Sequence, residues 1–272
     1  MMDDLKHLLL IAERGTFTQA ARAAHLTQPA LSVSVRRLEQ AFGARLLDRG
    51  RHGAELTAAG REVASRARVA LSAIEDARRA VAELEGLDKG VVRLGAGATT
   101  ATYLLPSLLG RFRKRHPGVR IVLRELTRDE ALDQLESGGL DIAVLTGPDG
   151  EHWRDDAFVL VAAPGVRLEG APFLTFPKGT VTREMLDRHF PEADIVMELG
   201  SIAAIKGHVA EGIGVALISR AAITRDLAIG RLVQLRHPAT PIPRQLVLCH
   251  RGALRLPPAA AALRELMLSV RG

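Results

Sequence analysis

The stretch that most constrains this chain is TFTQAARAAHLTQPALSVSVRRL, Thr16 to Leu38. Its spacing predicts two short helices joined by a tight turn. In the second, Leu31, Val35, Leu38 and Phe42 fall at i, i+4, i+7 and i+11, one stripe of a 3.6-residue period. Gln28, Pro29, Ser32, Val33 and Arg36 fall on the opposite side. Thr27 or Gln28 can cap the start, and Pro29 sits in the first turn, where a missing N–H costs nothing. A helix with one sealed stripe and a small, polar, open face has the shape a DNA major groove admits. An ordinary amphipathic helix packed on a domain carries the same stripe, so the neighbouring sequence has to decide.

Upstream, residues 3–14 read as a helix with an apolar stripe of Leu5, Leu8, Leu9 and Ala12, closed by Gly15. Thr18 can cap a helix running through about His25, and Ala20, Ala21 and Ala24 let a neighbour approach closely. Downstream, ARLLDRGRHGAELT (44–57) places two extended pieces around a glycine-containing tip, the pattern of a β-wing. Arg36, Arg37, Arg45, Arg49 and Arg51 put five arginines into sixteen residues, against Glu39, Asp48 and Glu55. Beside a presentable helix, guanidinium groups that neutralise phosphates explain this better than a solvated hairpin with ordinary surface charge.

Residues 58–86 carry a second strong pattern. Val63, Ala67, Ala70, Ile74, Ala77, Val81 and Leu84 are spaced 4-3-4-3-4-3, with no Pro or Gly between Arg61 and Glu85. This heptad seam fits a dimerising linker helix, which would carry two reading helices to two half-sites. The alternative is a long helix lying on its own domain. GLDKG (86–90) then reads as a hinge.

Beyond the hinge the pattern changes. Strands at 91–97, 119–126 and 140–147 alternate with helices at 102–116 and 129–137, which means a parallel, doubly wound sheet. Strands at 158–163, 172–176, 193–199, 215–219 and 244–250, helices at 182–190 and 202–211, and a final helix at 257–270 complete two α/β lobes. The lobes join near 155 and again near 250–257, with the last helix returning to the first lobe. The domain reading is therefore 1–60 for the DNA-binding head and 61–90 for the linker helix and hinge. The remainder, 91–272, is a ligand domain with a first lobe of about 91–156 plus 254–272 and a second of about 157–253.

Ligands of open α/β sheets collect beyond the carboxyl ends of the strands. Those ends supply the hydroxyls of Thr99, Thr100, Thr102, Thr127 and Thr146 from the first lobe, and of Thr180 and Ser201 from the second. Helices starting near Thr102 and Ile202 would aim free N–H groups at the cleft, and Arg128 and Lys178 could add positive charge, a combination suited to a carboxylate. The plainer alternative is that these Ser and Thr residues only cap helices.

A net charge of +6 permits nucleic-acid binding without demonstrating it, because the arginines are spread along the chain. The single cysteine, Cys249, excludes an internal disulfide and a cysteine-based metal site. It sits in an apolar strand and reads as a core residue, and His152 and Trp153 read as surface and packing. The N-terminus lacks a signal-peptide pattern, and no apolar run approaches the roughly 20 residues that span a bilayer. A cytoplasmic location, no membrane partner, no metal and no cofactor are the expectations. GAGATT (95–100) keeps two glycines of a dinucleotide fingerprint but has Thr100 in place of the third. With no catalytic motif, a non-enzyme is expected. An α/β enzyme with an oligomerisation arm, or a regulator whose cleft holds no ligand, are the competing readings.

The stretch AERGTFTQAARAAHLTQPALSVSVRRLEQAFGARLLDR, followed by LTAAG, resembles the winged helix-turn-helix signature of LysR-type transcriptional regulators. LLPSLLGRFRKRHPGV, LDIAVLTG and EGIGVALIS resemble that family's effector domain, so the likeness spans essentially the whole chain. It implies an α/β fold class: a winged helix-turn-helix, a long linker helix, and a two-lobed periplasmic-binding-protein-like effector domain. It also implies that Gln28, Pro29, Ser32 and Val33 approach base edges of double-stranded DNA, while Arg36, Arg37, Arg49 and Arg51 lie by phosphates. A small-molecule effector, a carboxylate or other polar metabolite, would bind the cleft. The protein would form a homodimer through the linker and a homotetramer through effector-domain contacts. Val33 and Ser34 stand where the family more often has long polar residues, so Val33 would touch a thymine methyl rather than hydrogen-bond a base. Leu8 and Leu47 stand where Phe is common and remain apolar.

Overall fold

The structure is a computed structural model that describes residues 1–50, 53–84 and 90–270; of Arg49 and residues 82–84 it describes the backbone only. The chain divides into two compact units, one built on Met1–Arg78 and the other beginning at Arg79.

The first unit packs α1 (Met2–Arg14), α2 (Phe17–Ala23) and α3 (Gln28–Phe42) against a hairpin of β1 (Leu47–Gly50) and β2 (Gly53–Leu56). Leu8, Ile11, Phe17, Ala20, Leu31, Val35, Leu38 and Leu46 form its core. Gly15 ends α1 in the left-handed region at φ 71°. The cap of α2 is Thr16, whose hydroxyl accepts from Gln19 N at 3.2 Å, not Thr18 as the sequence suggested; the helix is correspondingly shorter. Thr27 caps α3 through Ala30 N, and Pro29 lies in the first turn. Phe42, expected in the buried stripe, is 49% exposed because it is the last residue before the Gly43 cap and overshoots the core.

The hairpin is pinned from two sides. Glu39 Oε1 of α3 accepts from Leu46 N at 2.8 Å, and Gly15 O accepts from Ala54 N at 2.8 Å. α4 (Ala58–Leu84) follows, its first turn capped by the Thr57 hydroxyl through Gly60 N at 2.9 Å. Along the heptad seam Ala67 is buried, whereas Ala70, Ile74, Ala77 and Val81 are exposed; the Leu84 side chain lies outside the described residues.

In the second unit β3 (Val91–Ala96) pairs in parallel with β4 (Arg120–Glu125) and β5 (Ile142–Thr146). A wide π-type turn, Thr100–Leu104, leads into α5 (Leu105–Arg115), and α6 (Arg128–Glu136) connects β4 to β5. Two long antiparallel strands, β6 (Glu151–Ala162) and β11 (Ile242–Cys249), pair along their length and pass from one lobe to the other. The junction expected near 155 is thus continuous strand, already begun at Glu151. The second lobe adds β7 (Phe173–Thr175), α7 (Val181–His189), β8 (Ile195–Glu198), α8 (Ile202–Ala210) and β9 (Ala216–Ser219). It also contains α9 (Arg220–Ala228) and β10 (Val233–Leu235), two elements beyond those the sequence predicts. α10 (Pro258–Ser269) buries Ala259, Ala260, Leu263 and Met267 against Val92, Leu94 and Phe112 of the first lobe. Trp153, at 1% exposure, belongs to the same core. Cys249 ends β11 half-buried, its thiol donating to Asp149 O at 3.1 Å, with burial pushing its pKa up.

Candidate DNA-binding face and effector cavity

On the first unit, α3 turns Leu31, Val35 and Leu38 into the core and leaves Gln28, Pro29, Val33, Arg36 and Arg37 exposed, with Ser32 half-buried. Val33 is 45% exposed, an apolar spot amid polar neighbours. The helix is held in place by a buried polar cluster. Ser34 Oγ donates to Asp4 Oδ1 at 2.5 Å and lies 2.7 Å from His7 Nδ1. Burial raises the Asp4 carboxyl pKa, but hydrogen bonds from Ser34 and Arg37 outweigh it and hold the group far below the usual carboxylate range. Arg37, expected at a phosphate, gives Nη2 to Asp4 Oδ1 at 2.6 Å while its side chain stays 64% exposed. Arg36 Nε reaches back to Ser32 O at 3.4 Å. Arg36, Glu39, Gln40, Gly43 and Arg45 line a shallow concavity at the far end of α3, which puts Arg45 beside Arg36. The Arg49 side chain and Arg51 lie outside the described residues.

In the second unit a cavity of about 280 Å³ lies where the strand ends of the two lobes meet. From the first lobe come Thr99, Thr100, Thr127, Arg128 and Thr146; from the second come Phe176, Thr180, Val181 and Thr182. Four of the anticipated residues are not in its wall. Thr102 is on the exposed side of the π-type turn, Lys178 and Ser201 are exposed, and Ile202 is packed into the second-lobe core at 5% exposure. The helix that opens on the cavity from the second lobe is α7, one helix earlier than α8.

The hydroxyls in the wall divide into two kinds. Thr127 and Glu130 form a reciprocal capping box: Glu130 Oε2 accepts from Thr127 N at 2.8 Å and Glu130 N donates to Thr127 Oγ1 at 3.4 Å. These bonds from Thr127 lower the Glu130 pKa. Thr180 caps α7 through Arg183 N at 3.3 Å and donates to Pro177 O at 3.0 Å. The hydroxyls of Thr99, Thr100 and Thr146 make no side-chain hydrogen bond among the described residues. Arg128 crosses from α6 to the end of β5, giving Nη1 to Thr146 O at 2.7 Å. At the far end of the π-type turn, the Tyr103 ring lies 4.8 Å from Lys206 Nζ of the second lobe.

The residue that sequence reasoning missed is Arg244 on β11. Its side chain is 7% exposed, and it stacks over the Phe158 ring at 4.6 Å. Nε donates to Asp156 Oδ2 at 2.8 Å; Nη2 lies 2.6 Å from the same oxygen, off the hydrogen-bonding direction, and is sealed from solvent. Burial lowers the Arg244 pKa and Asp156 opposes that shift. Asp156 is also bonded by Ser219 Oγ at 2.6 Å; although burial raises its pKa, Arg244 and Ser219 leave it below the ordinary value. An arginine beside Gln245 at the start of an apolar run looks like a surface residue, and only the pairing of β6 with β11 brings Asp156 beside it.

Known proteins agree with this architecture. Residues 2–61 match the family model for bacterial regulatory helix-turn-helix proteins of the lysR family, and residues 85–271 match the LysR substrate binding domain. The RuBisCO operon transcriptional regulator of Allochromatium vinosum is 31% identical over 95% of this chain and 92% of its own length. The SDS degradation transcriptional activation protein of Pseudomonas sp. (strain ATCC 19151) is 34% identical over 97% of this chain and 94% of its own. Among solved structures, full-length CbnR complexed with its target DNA shares the fold at a TM-score of 0.68, with 21% identity over 98% of both chains. LysG of Corynebacterium glutamicum with bound effector Arg shares it at 0.71, with 18% identity over 99% of this chain and 97% of that one. The chain belongs to the LysR family of transcriptional regulators, which join a DNA-binding helix-turn-helix to an effector-binding domain.

Proposed function

We propose that this regulator reads its operator with the exposed face of α3, and that a small polar or anionic metabolite in the cavity modulates the oligomer. Gln28, Pro29, Ser32 and Val33 face base edges, and Arg36, Arg37 and the wing arginines Arg49 and Arg51 lie by phosphates. The observation that carries this reading is the division of α3 itself: Leu31, Val35 and Leu38 are at most 1% exposed, while Gln28, Pro29, Val33 and Arg36 are exposed. A helix so divided, beside a pinned hairpin, presents its open end to the major groove and its arginines to the backbone. The chain acts from the cytoplasm as 1–60 DNA-binding head, 61–90 linker and 91–272 effector domain. The exposed seam of α4 makes the homodimer, and effector-domain contacts make a tetramer. The solved structure of CbnR with its target DNA and that of LysG with bound Arg support a DNA partner and a cavity ligand.

The test is selection of genomic fragments by the full-length protein across a salt series. Enrichment of a site with two symmetric half-sites is expected, with affinity falling steeply as salt rises. Salt-sensitive binding without any enriched sequence would contradict base reading by α3.

A further inference from the structure

The cavity wall is specific enough to name the class of its ligand. Two cations line it, Arg128 and Arg244, and two carboxylates, Glu125 and Glu130. Arg128 is committed to Thr146 O, and Glu130 to its capping box with Thr127. Arg244 is different. Its Nε and Nη2 face Asp156, but Nη1 has no hydrogen-bond partner among the described residues and, unlike Nη2, is not sealed off. A guanidinium 93% buried, with one amino group open to a cavity, is a donor waiting for an acceptor (its side chain is 7% exposed).

The first turn of α7 supplies the same kind of group. Arg183 N and Glu184 N are bonded to Thr180, whereas the N–H groups of Val181 and Thr182 find no acceptor among the described residues and line the cavity. Helix N-termini favour negative charge. Besides these groups and the threonine hydroxyls the wall is apolar: Leu126, Val144, Leu145 and Phe176 are largely withdrawn from solvent.

We infer that the effector is a small monocarboxylate with an apolar body, its carboxylate taken by Arg244 Nη1 and its hydrocarbon part lying against Phe176 and Val144. This deepens the effector-cavity reading above and rests on it. Charge decides between one negative group and two. A single carboxylate can be met by the open Arg244 Nη1 and the α7 N–H groups, whereas Glu125, Glu130 and Asp156 already match the lining cations and leave the second charge of a phosphate dianion unanswered.

The experiment is isothermal titration of the full-length protein with benzoate and 4-methylpentanoate, with their primary amides, and with inorganic phosphate. The acids are expected to bind roughly ten- to a hundredfold more tightly than the amides, the value of a hydrogen bond to a charged group. Phosphate is expected not to displace them. Replacing Arg244 alone would strand a buried Asp156, so the variant is the doubly neutral Asp156→Asn/Arg244→Gln, which should erase the preference for acid over amide. Equal affinity for acid and amide, displacement by phosphate, or a preference that survives the double variant would each overturn the monocarboxylate assignment while leaving a ligand cavity in place. No binding by any acid of the series overturns it too. If a broad metabolite panel then also fails to move the thermal midpoint, the effector-cavity reading falls with it.

Discussion

Arg79, near the end of α4, and Asp141, just before β5, form a two-point ion pair: Nη2 to Oδ1 at 2.7 Å and Nη1 to Oδ2 at 3.2 Å. Both side chains are buried, and Asp141 Oδ2 also accepts from Arg93 N at 2.8 Å at the start of β3. The last turns of the linker helix are thereby locked to the starting ends of the two strands whose other ends face the cavity. A buried charge robbed of its partner costs about 3–5 kcal/mol. Asp141→Asn should lower the unfolding free energy by that much, seen as a lower urea midpoint, and Arg79→Met with Asp141→Leu should restore most of it. Equal stability of the single variant and wild type in urea unfolding would show that the pair is not the lock.

Stability at low pH has an identifiable source. Glu151, at the start of β6, is bonded by Arg264 Nε at 2.5 Å and by His250 Nε2 at 3.1 Å. The Arg264 bond is the main cause of its pKa falling from 4.5 to about 2. A folded-state pKa below the unfolded one stabilises the fold above pH 4.5, and this contribution is lost as pH falls toward about 2. Glu151→Gln should therefore flatten stability against pH within that window relative to wild type. Parallel curves for the two proteins would contradict the assignment.

The hairpin depends on one glycine. Gly53 holds φ at 141°, and a Cβ there would lie 2.4 Å from Gly15 O. Gly53→Ala should destabilise the DNA-binding head by about 1–3 kcal/mol through backbone strain alone. It should also weaken DNA binding by freeing the wing. Thermal unfolding and a DNA titration check both parts.

The exposed seam of α4 predicts its own partner. Ile74 is 40% exposed and Val81 65%, four and three residues from their seam neighbours. Ile74→Glu should shift the protein toward monomer by more than about tenfold in dissociation constant, because a seam position sits against its counterpart in a paired helix. Sedimentation at several concentrations reads this directly, and an unchanged oligomer would remove α4 as the dimer interface.

Local spacing made much of the fold legible in the sequence. The stripe of Leu31, Val35 and Leu38, the Gly15 and Gly43 stops and the apolar runs at 142–146 and 216–219 each imply their element from neighbours within one or two turns. Where two Thr residues stood close together, spacing misled: Thr16 caps α2 because its backbone is extended there, whereas Thr18 is already inside the helix. The pieces that were missed depend on distant partners. β10 is three residues long and exists because it pairs with β6. Arg244 looks like a surface residue until its strand is registered against β6, where Asp156 and Phe158 enclose it. Thr99, Thr100, Thr146 and Thr180 line the cavity where strand and helix ends imply, whereas Ser201 and Ile202 belong to the next helix and lie outside its wall.

The most direct test of the account compares affinity for a selected operator with affinity for random DNA at fixed salt. Three proteins are needed: wild type, Gln28→Ala/Ser32→Ala and Arg36→Ala. The wild type should prefer the operator by roughly a thousandfold or more. The helix-face variant should lose most of that ratio while binding random DNA as before. Arg36→Ala should instead weaken both affinities together and reduce the salt slope by about one. A specificity ratio unchanged in Gln28→Ala/Ser32→Ala would contradict the central claim that α3 reads the operator.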